Sequence, residues 1–477
     1  MREYPGVVSG GAISCGSAAT AQVGAGILEG GGNAVDAAVA AAFASTVTEP
    51  GVSSLGGGGF LLVRTPDGTA RLIDFFTSVP SGPSGPVETV TVTYSGATQD
   101  FHVGNATVAV PGCLDGFLYA HRRWGTMPLA AVMGPAIRHA GQGVRLEPAQ
   151  AHAMELIDGV LLLTPEIRTR TAPRGGLLGA GELFADAELA AFLQRVADGR
   201  VTGVTDLVDE FGELMPEGPV TAEDLQSYEV LDRDPLVALI RSGSITTNPM
   251  PSLGGSIVAH VLGDLAGLPH PSPAEIAQAL AETTAWLKSQ VSGAISSAGT
   301  THISVVDADG MCAALTLSNG VGGGVMLPGT GVHLNNMMGE DDLHPGGAAS
   351  ATPGERIRSM MAPSIVDHAG GTLVLGTGGS ERIRSALTRV ITLLLGGDAD
   401  LDGAVGAPRV HVDNRGLIQV EPGMADAELV ELARLGEVSL WPARHFYFGG
   451  VNAVQIVAEG GLRACADPRR GGQATVL

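Results

Sequence analysis

Apolar positions recur along this chain in two rhythms, and the change falls near residue 300. Before it, apolar residues three and four apart predominate, the spacing of one helix face. That spacing predicts helices over Ser17 to Glu29 and Ala34 to Phe43, the first stopped at Gly30-Gly31-Gly32-Asn33 and the second ended by Pro50 and Gly51. Further helices are predicted over Leu114–Trp124, Leu129–Ala140, Pro148–Gly159, Glu188–Ala197, Thr205–Leu214, Gly255–Leu265 and Pro273–Val291, with another start at Thr221. Strands are expected at Phe60–Arg64, Ala70–Phe76 and within Val230–Ser242. After residue 300 strands dominate: 301–307, 311–317, 372–376, 416–420, 451–457 and 461–465, with helices at Glu381–Leu395 and Ala425–Leu435. Two strand-rich portions surrounded by helices predict an α/β protein, with an αββα sandwich among the possible layerings.

At the change of rhythm, the small-residue linker Ser292–Gly299 runs into Thr300-Thr301-His302-Ile303-Ser304-Val305-Val306-Asp307. Such a linker is a natural place for a cut. A threonine hydroxyl is a poor nucleophile without a neighbouring base. The residue's own α-amine can be that base, and it exists at Thr300 only if the Gly299–Thr300 bond is broken. The same residues also read as an ordinary hairpin turning at Asp309-Gly310. Alone, the stretch leaves both readings open.

Composition narrows the classes. The 477 residues suffice for two or three average domains or one large α/β unit. Apolar content of 44% against 16% charged residues marks a core-forming chain. With 70 glycines and only 4% aromatics, close packing and tight turns are expected. A net charge of -22 argues against nucleic acid or an anionic membrane as partner. No apolar stretch is long enough to span a bilayer, and Met1–Gly10 lacks the pattern of a signal peptide. Cys15, Cys113, Cys312 and Cys465 are scattered without a CxxC and read as buried thiols in a reducing, cytoplasmic setting. Gly56-Gly57-Gly58-Gly59 has no following Gly-Lys-Ser/Thr, so it reads as a close backbone approach in a turn rather than a phosphate loop. His302, His333, His344, His368 and His445 show no metal-ligand spacing, and Asp341-Asp342 alone makes a weak metal site. No cofactor and no metal are expected.

Several stretches together resemble the γ-glutamyltransferase family. They are Gly31-Gly32-Asn33-Ala34-Val35-Asp36-Ala37-Ala38-Val39-Ala40, Gly56-Gly57-Gly58-Gly59-Phe60, Val110-Pro111-Gly112, Thr300 to Asp307, Leu334-Asn335-Asn336, Met361-Ala362-Pro363-Ser364-Ile365-Val366, Gly378-Gly379-Ser380 and Asp467-Pro468-Arg469-Arg470-Gly471-Gly472. They follow the family's order and span nearly the whole chain. The resemblance implies an N-terminal-nucleophile hydrolase of four-layer αββα type whose precursor cuts itself at Gly299–Thr300. A large chain, 1–299, and a small chain, 300–477, would then form one composite domain. It implies Thr300 as nucleophile and base, Ser318 as the assisting hydroxyl (Thr in most relatives), and the N–H groups of Gly378 and Gly379 as oxyanion hole.

The donor pocket departs from the family. Where relatives hold the substrate α-carboxylate with the arginine of Asp-Phe-Arg, this chain has Asp74-Phe75-Phe76. The Ser-Ser pair reads Ser359-Met360, and the polar residue after the double Asn is Met337. Asn319 is kept. The acid for the α-amine is Asp342 or, second, Glu340. Arg358 is a candidate replacement for the lost guanidinium, while Arg356 is family-like and reads as structural. The expected activity is therefore acyl transfer from Thr300 to water on a small molecule that is not a standard γ-glutamyl compound. Hydrolysis of a carbon–carbon bond is one such reaction, as in relatives from actinobacterial pathways to alkylproline-containing antibiotics. The alternatives are a γ-glutamyl hydrolase or transferase acting on glutathione-like compounds, and an uncleaved, inactive scaffold.

Overall fold

Two antiparallel sheets lie face to face in a computed structural model of the chain, which describes residues 10–94, 97–290, 299–340, 351–413 and 415–477. The first sheet has seven strands, in spatial order Gln473–Val476, Ala12–Cys15, Thr300–Val306, Cys312–Ser318, Gly58–Arg64, Ala70–Phe75 and Leu231–Arg233. The second has six, in order Leu462–Ala466, Gly450–Val457, Gly371–Gly378, Ser364–His368, Gly243–Thr247 and Leu236–Ile240. Thr300–Val306 stacks on Gly371–Gly378 across the inter-sheet layer. Helices Ala18–Glu29 and Ala34–Thr48 cover the outer face of the first sheet, and Leu253–Asp264 and Arg382–Gly396 that of the second. This is the four-layer αββα sandwich. Residues before and after position 300 contribute strands to both sheets, so neither portion owns a complete sheet.

Small residues set the layer spacing. Every residue of Ala34–Thr48 is buried, and a Cβ on Gly24 of the neighbouring helix would lie 2.2 Å from Ile13 Cδ1. The Asn33–Asp36 capping box closes the start of the buried helix, satisfying N–H groups that water cannot reach. The glycine run does what its composition suggested. A Cβ at Gly57 would sit 2.1 Å from the Ser318 carbonyl oxygen and one at Gly59 2.3 Å from that of Thr316, so bare backbone lies directly on the Cys312–Ser318 strand.

Most predicted elements are present with ends shifted by a few residues. Pro148–Gly159 divides into Pro148–Leu156 and Asp158–Leu161, and Thr205–Leu214 begins with a 3₁₀ turn. Strands Ala12–Cys15, Gly243–Thr247, Ser364–His368 and Gln473–Val476 were not anticipated. Each is only four or five residues long, too short for alternation to show, and Ala12–Cys15 is buried throughout, without the polar positions that mark a half-buried strand. The paired strands Glu88–Tyr94 and Ala97–Val103, where Thr and Val alternate, did carry that signal.

Candidate functional site

Register brings the site together. Antiparallel pairing sets Thr300, the first residue of its strand, opposite Ser318, the last of the next, and Ser318 opposite Gly58. Both hydroxyls therefore emerge at one end of the sheet. Thr300 Oγ1 donates to Ser318 Oγ at 3.3 Å, and Ser318 Oγ donates to the Gly299 carbonyl. The Asn319 N–H donates to the same carbonyl at 3.3 Å, while the Gly320 N–H holds Ser318 Oγ at 3.1 Å. The carbonyl just before Thr300 thus faces two donors beside a buried hydroxyl. Donors so placed stabilise negative charge developing on that oxygen. Gly299 fits only without a side chain, since a Cβ would lie 2.0 Å from the Gly320 carbonyl oxygen.

The second sheet closes the other side. A Cβ at Gly378 would be 2.0 Å from the Thr300 carbonyl oxygen, and Gly379 adopts φ 133°, which favours glycine. Arg470 Nη1 donates to the Thr300 carbonyl at 3.3 Å, with the guanidinium 3.9 Å from the centre of the Phe446 ring. Burial, reinforced by nearby Arg382, lowers the Arg470 pKa to about 9, which leaves it charged at neutral pH.

The double asparagine is a backbone clamp. Asn335 Nδ2 donates to the carbonyls of Gly56 and Ala109 at 2.7 and 2.9 Å, and its Oδ1 accepts from Ala109 and Met337. Asn336 Oδ1 accepts from the Val321 N–H at 2.9 Å. Glu340 is buried over the same turn, its Oε1 2.6 Å from where a Cβ on Gly320 would stand. It is thus beside the segment carrying Ser318 and Asn319. Asp342 lies outside the described residues.

Phe76, Met337 and Met360 belong to one apolar cluster, each 2% exposed or less, and Phe76 stacks on Phe60 with centroids 5.5 Å apart. Ser359 is buried beside them, its carbonyl taking the Leu253 N–H and its hydroxyl the Met361 N–H. Arg356 is committed elsewhere: it faces Asp74 at 3.5 Å and covers the Tyr228 ring at 4.5 Å. Arg358 is partly exposed between buried Ile357 and Ser359. His302 is a core residue bonded to Thr316 and Ser304 and pushed down to about 3 by burial, so it stays neutral. His333 accepts the Gly324 N–H and is likewise lowered, to about 4. His445 packs against the Trp441 ring at 4.8 Å. Among the described residues no group of three or more His, Cys, Asp and Glu side chains is placed to hold a metal ion.

Two buried charged groups near Thr300 escaped the sequence reading. Arg470 stood inside a quoted motif without a role. For Glu49 the available signal was an acid at the end of a fifteen-residue buried helix.

The geometry gives a direct expectation for Ser318. Its replacement by alanine removes one donor from the Gly299 carbonyl and the acceptor of the Thr300 hydroxyl. A time course of chain cleavage on denaturing gels should slow by about 10²-fold, the usual cost of one such donor.

The chain is similar to several known proteins. The family model described as gamma-glutamyltranspeptidase matches residues 20–294 and 274–477. The glutathione hydrolase proenzyme of Pseudomonas aeruginosa strain PAO1 is 30% identical over 478 residues, covering 86% of this chain and 84% of that protein. The acylase ACY 1 proenzyme of Pseudomonas sp. strain SE83 is 30% identical over 505 residues, covering 93% and 89%. The crystal structure of cephalosporin acylase from Bacillus halodurans superposes with a TM-score of 0.80 at 24% identity, covering all of this chain and 97% of that one.

Proposed function

This chain belongs to the γ-glutamyltranspeptidase family of N-terminal-nucleophile hydrolases, and we propose that it cuts itself at Gly299–Thr300 and then works through an acyl-enzyme on Thr300. The observation carrying this reading is the Gly299 carbonyl, held by Ser318 Oγ and the Asn319 N–H beside the Thr300 hydroxyl. In the self-cleavage step Thr300 Oγ bonds to the Gly299 carbonyl carbon, the C–N bond breaks, and the hydroxyl proton passes to the departing Thr300 nitrogen. Water then hydrolyses the ester, leaving chains 1–299 and 300–477. The freed amine takes the hydroxyl proton during attack on substrate, and the N–H groups of Gly378 and Gly379 receive the oxyanion.

The substrate reading rests on the residues at the positions where the family holds its donor. Phe76, stacked on Phe60, occupies the position at which an arginine would grip a donor carboxylate, and Met337 and Met360 are apolar as well. Glu340 remains as a buried acid beside the Ser318–Gly320 turn. Such a set suits a substrate with an amino or imino group and a flat apolar body rather than a γ-glutamyl zwitterion. A ring imine bearing an acyl side chain fits. Thr300 Oγ would add to the side-chain carbonyl, and the C–C bond would break with its electron pair stabilised by the conjugated imine. The carbon would take up a proton and water would release the acid. This is the carbon–carbon hydrolysis of alkylproline-type antibiotic precursors. Four free thiols suit a cytoplasmic setting.

A chromogenic γ-glutamyl anilide discriminates the rival substrate. Losing a charge-assisted contact of roughly 1.5–3 kcal/mol should leave kcat/KM about 10- to 100-fold below that of an arginine-bearing relative. Thr300-dependent release at a relative's rate would instead establish the γ-glutamyl reading. A full-length, uncleaved chain without activity would establish the scaffold reading.

A further inference from the structure

Beside Thr300, on the flank away from Ser318, the first sheet is incomplete. Strand Ala12–Cys15 pairs with the nucleophile's strand only as far as Ser14 opposite Ser304, after which the chain turns into helix Ala18–Glu29. The gap holds a small cavity whose lining includes Glu49, Gln150, Thr300, Thr301, Asn452 and Arg470. We propose that Glu49 is a positioning residue for the Thr300 α-amine, its carboxylate serving as counter-charge to the ammonium that forms when the amine takes the hydroxyl proton. The inference rests on the reading of Thr300 as an amino-terminal nucleophile.

Three observations carry it. First, Glu49 is 1% exposed and directed toward the nucleophile strand rather than toward water. A Cβ at Gly16 would lie 2.6 Å from Glu49 Oε2 and 2.7 Å from Thr301 Oγ1, so carboxylate and hydroxyl meet over bare backbone. Thr20 Oγ1 donates to Glu49 Oε1 at 2.8 Å. Second, Asn452 is 3% exposed, its Nδ2 donates to the His302 carbonyl at 2.9 Å, and its Oδ1 has no hydrogen-bond partner among the described residues. That oxygen would be 2.9 Å from a Cβ on Gly472, another residue of the cavity wall. A cavity with room for about one water beside an unpaired acceptor is a place for water. Third, Arg470 stands on the same wall with its guanidinium on the Thr300 carbonyl. A fixed cation there disfavours a protonated amine at rest, while a carboxylate across the cavity favours it as the proton arrives. The arrangement parallels a buried acid behind a catalytic base.

The groups facing Glu49 act in known directions. Burial pushes its pKa up to about 7, Thr301 and Thr20 hydrogen bonds pull the other way, and Glu147 adds repulsion. The neighbouring Cys15 thiol is raised by burial and by Glu49 itself, so it stays protonated. His302 stays neutral. Glu49 therefore loses its proton as pH rises through neutrality, and the counter-charge exists only above that point. During acylation Thr300 Oγ bonds to the substrate carbonyl and its proton moves to the Thr300 nitrogen. The ammonium is balanced by Glu49 through Thr301 and cavity water, and the proton leaves with the departing group.

p-Nitrophenyl acetate tests this on the self-processed protein, read by the burst of p-nitrophenolate and by an acetyl group on the 300–477 chain in intact mass. The wild type should gain acylation rate through two ionisations, those of Glu49 and the amine. Glu49→Gln should lose the first and run about tenfold slower or worse. Thr301→Val, which keeps the carboxyl but removes a hydrogen bond to its charged form, should move the first limb to higher pH. It decides the matter if Glu49→Gln fails to fold or to process. Acylation with wild-type rate and unshifted limbs in the variants obtained overturns the role of Glu49 alone. No Thr300-linked acetyl on processed wild type overturns the nucleophile assignment and this inference with it.

Discussion

Thr300→Ala should leave a single full-length polypeptide on a denaturing gel, where the wild type should give one chain ending at Gly299 and one beginning at Thr300. The variant loses the attacking oxygen and, with the bond uncut, never acquires the amine. Turnover should therefore fall by at least about 10³-fold, as when a nucleophile that acts together with its base is removed. The fold should survive. Thr300 is buried, but its hydroxyl makes one bond of 3.3 Å, to Ser318, and alanine is smaller at a position closed by Gly378 from the facing sheet. Far-ultraviolet circular dichroism would check that point. Thr300→Ser keeps an attacking oxygen and should still process. Cleavage of the alanine variant at the same bond would reject Thr300 as the self-processing nucleophile.

The largest loss of stability is expected at Asp467. Its carboxylate pairs with Arg409 and with Arg469 at 3.2 Å, and accepts the Val451 N–H at 3.1 Å. Arg469 also grips Glu421 at 2.6 Å, and all four side chains are 1% exposed or less. Removing one member of a buried network strands charges that water cannot reach, at a cost of about 3–5 kcal/mol. Asp467→Ala should lower the denaturant midpoint accordingly. It should also slow self-cleavage, because Arg470, which holds the Thr300 carbonyl, follows the disturbed Arg469 directly. The pH dependence has a definite sign. Burial alone would raise the Asp467 pKa, but Arg409 and Arg469 hold it below the ordinary value. Its stabilisation is then complete above about pH 4 and is lost as pH falls through the lowered value. The variant should lack that part of the acid limb. A midpoint unchanged from wild type would show that the network contributes specificity rather than stability.

How much was legible depended on distance along the chain. Helix periodicity, the glycine stops and the hairpin from Thr300 to Ser318 are local patterns, and they survived with ends moved by a few residues. The pairing of Thr300 with Ser318 follows from that hairpin, so the two hydroxyls were predictable together. Phe76, Met337 and Met360 could be recognised as departures, but their gathering into one apolar cluster could not, because they lie on separate segments far apart in sequence. Short strands such as Ala12–Cys15 were invisible, since a four-residue element takes its conformation from its partners.

The amino acids themselves determined the kind of chemistry: a small-residue linker, a threonine at a strand start, and glycines where backbone must approach backbone. Only the tertiary structure decided what surrounds that threonine. Glu49, Asn452 and Arg470 come from a helix end, a strand of the second sheet and a turn near residue 470, and they meet Thr300 because the first sheet is left open beside it. Burial and charge act through space over a few ångströms, whatever the sequence separation. A carboxyl that reads as an ordinary helix end along the chain therefore titrates near neutrality once the layers close around it.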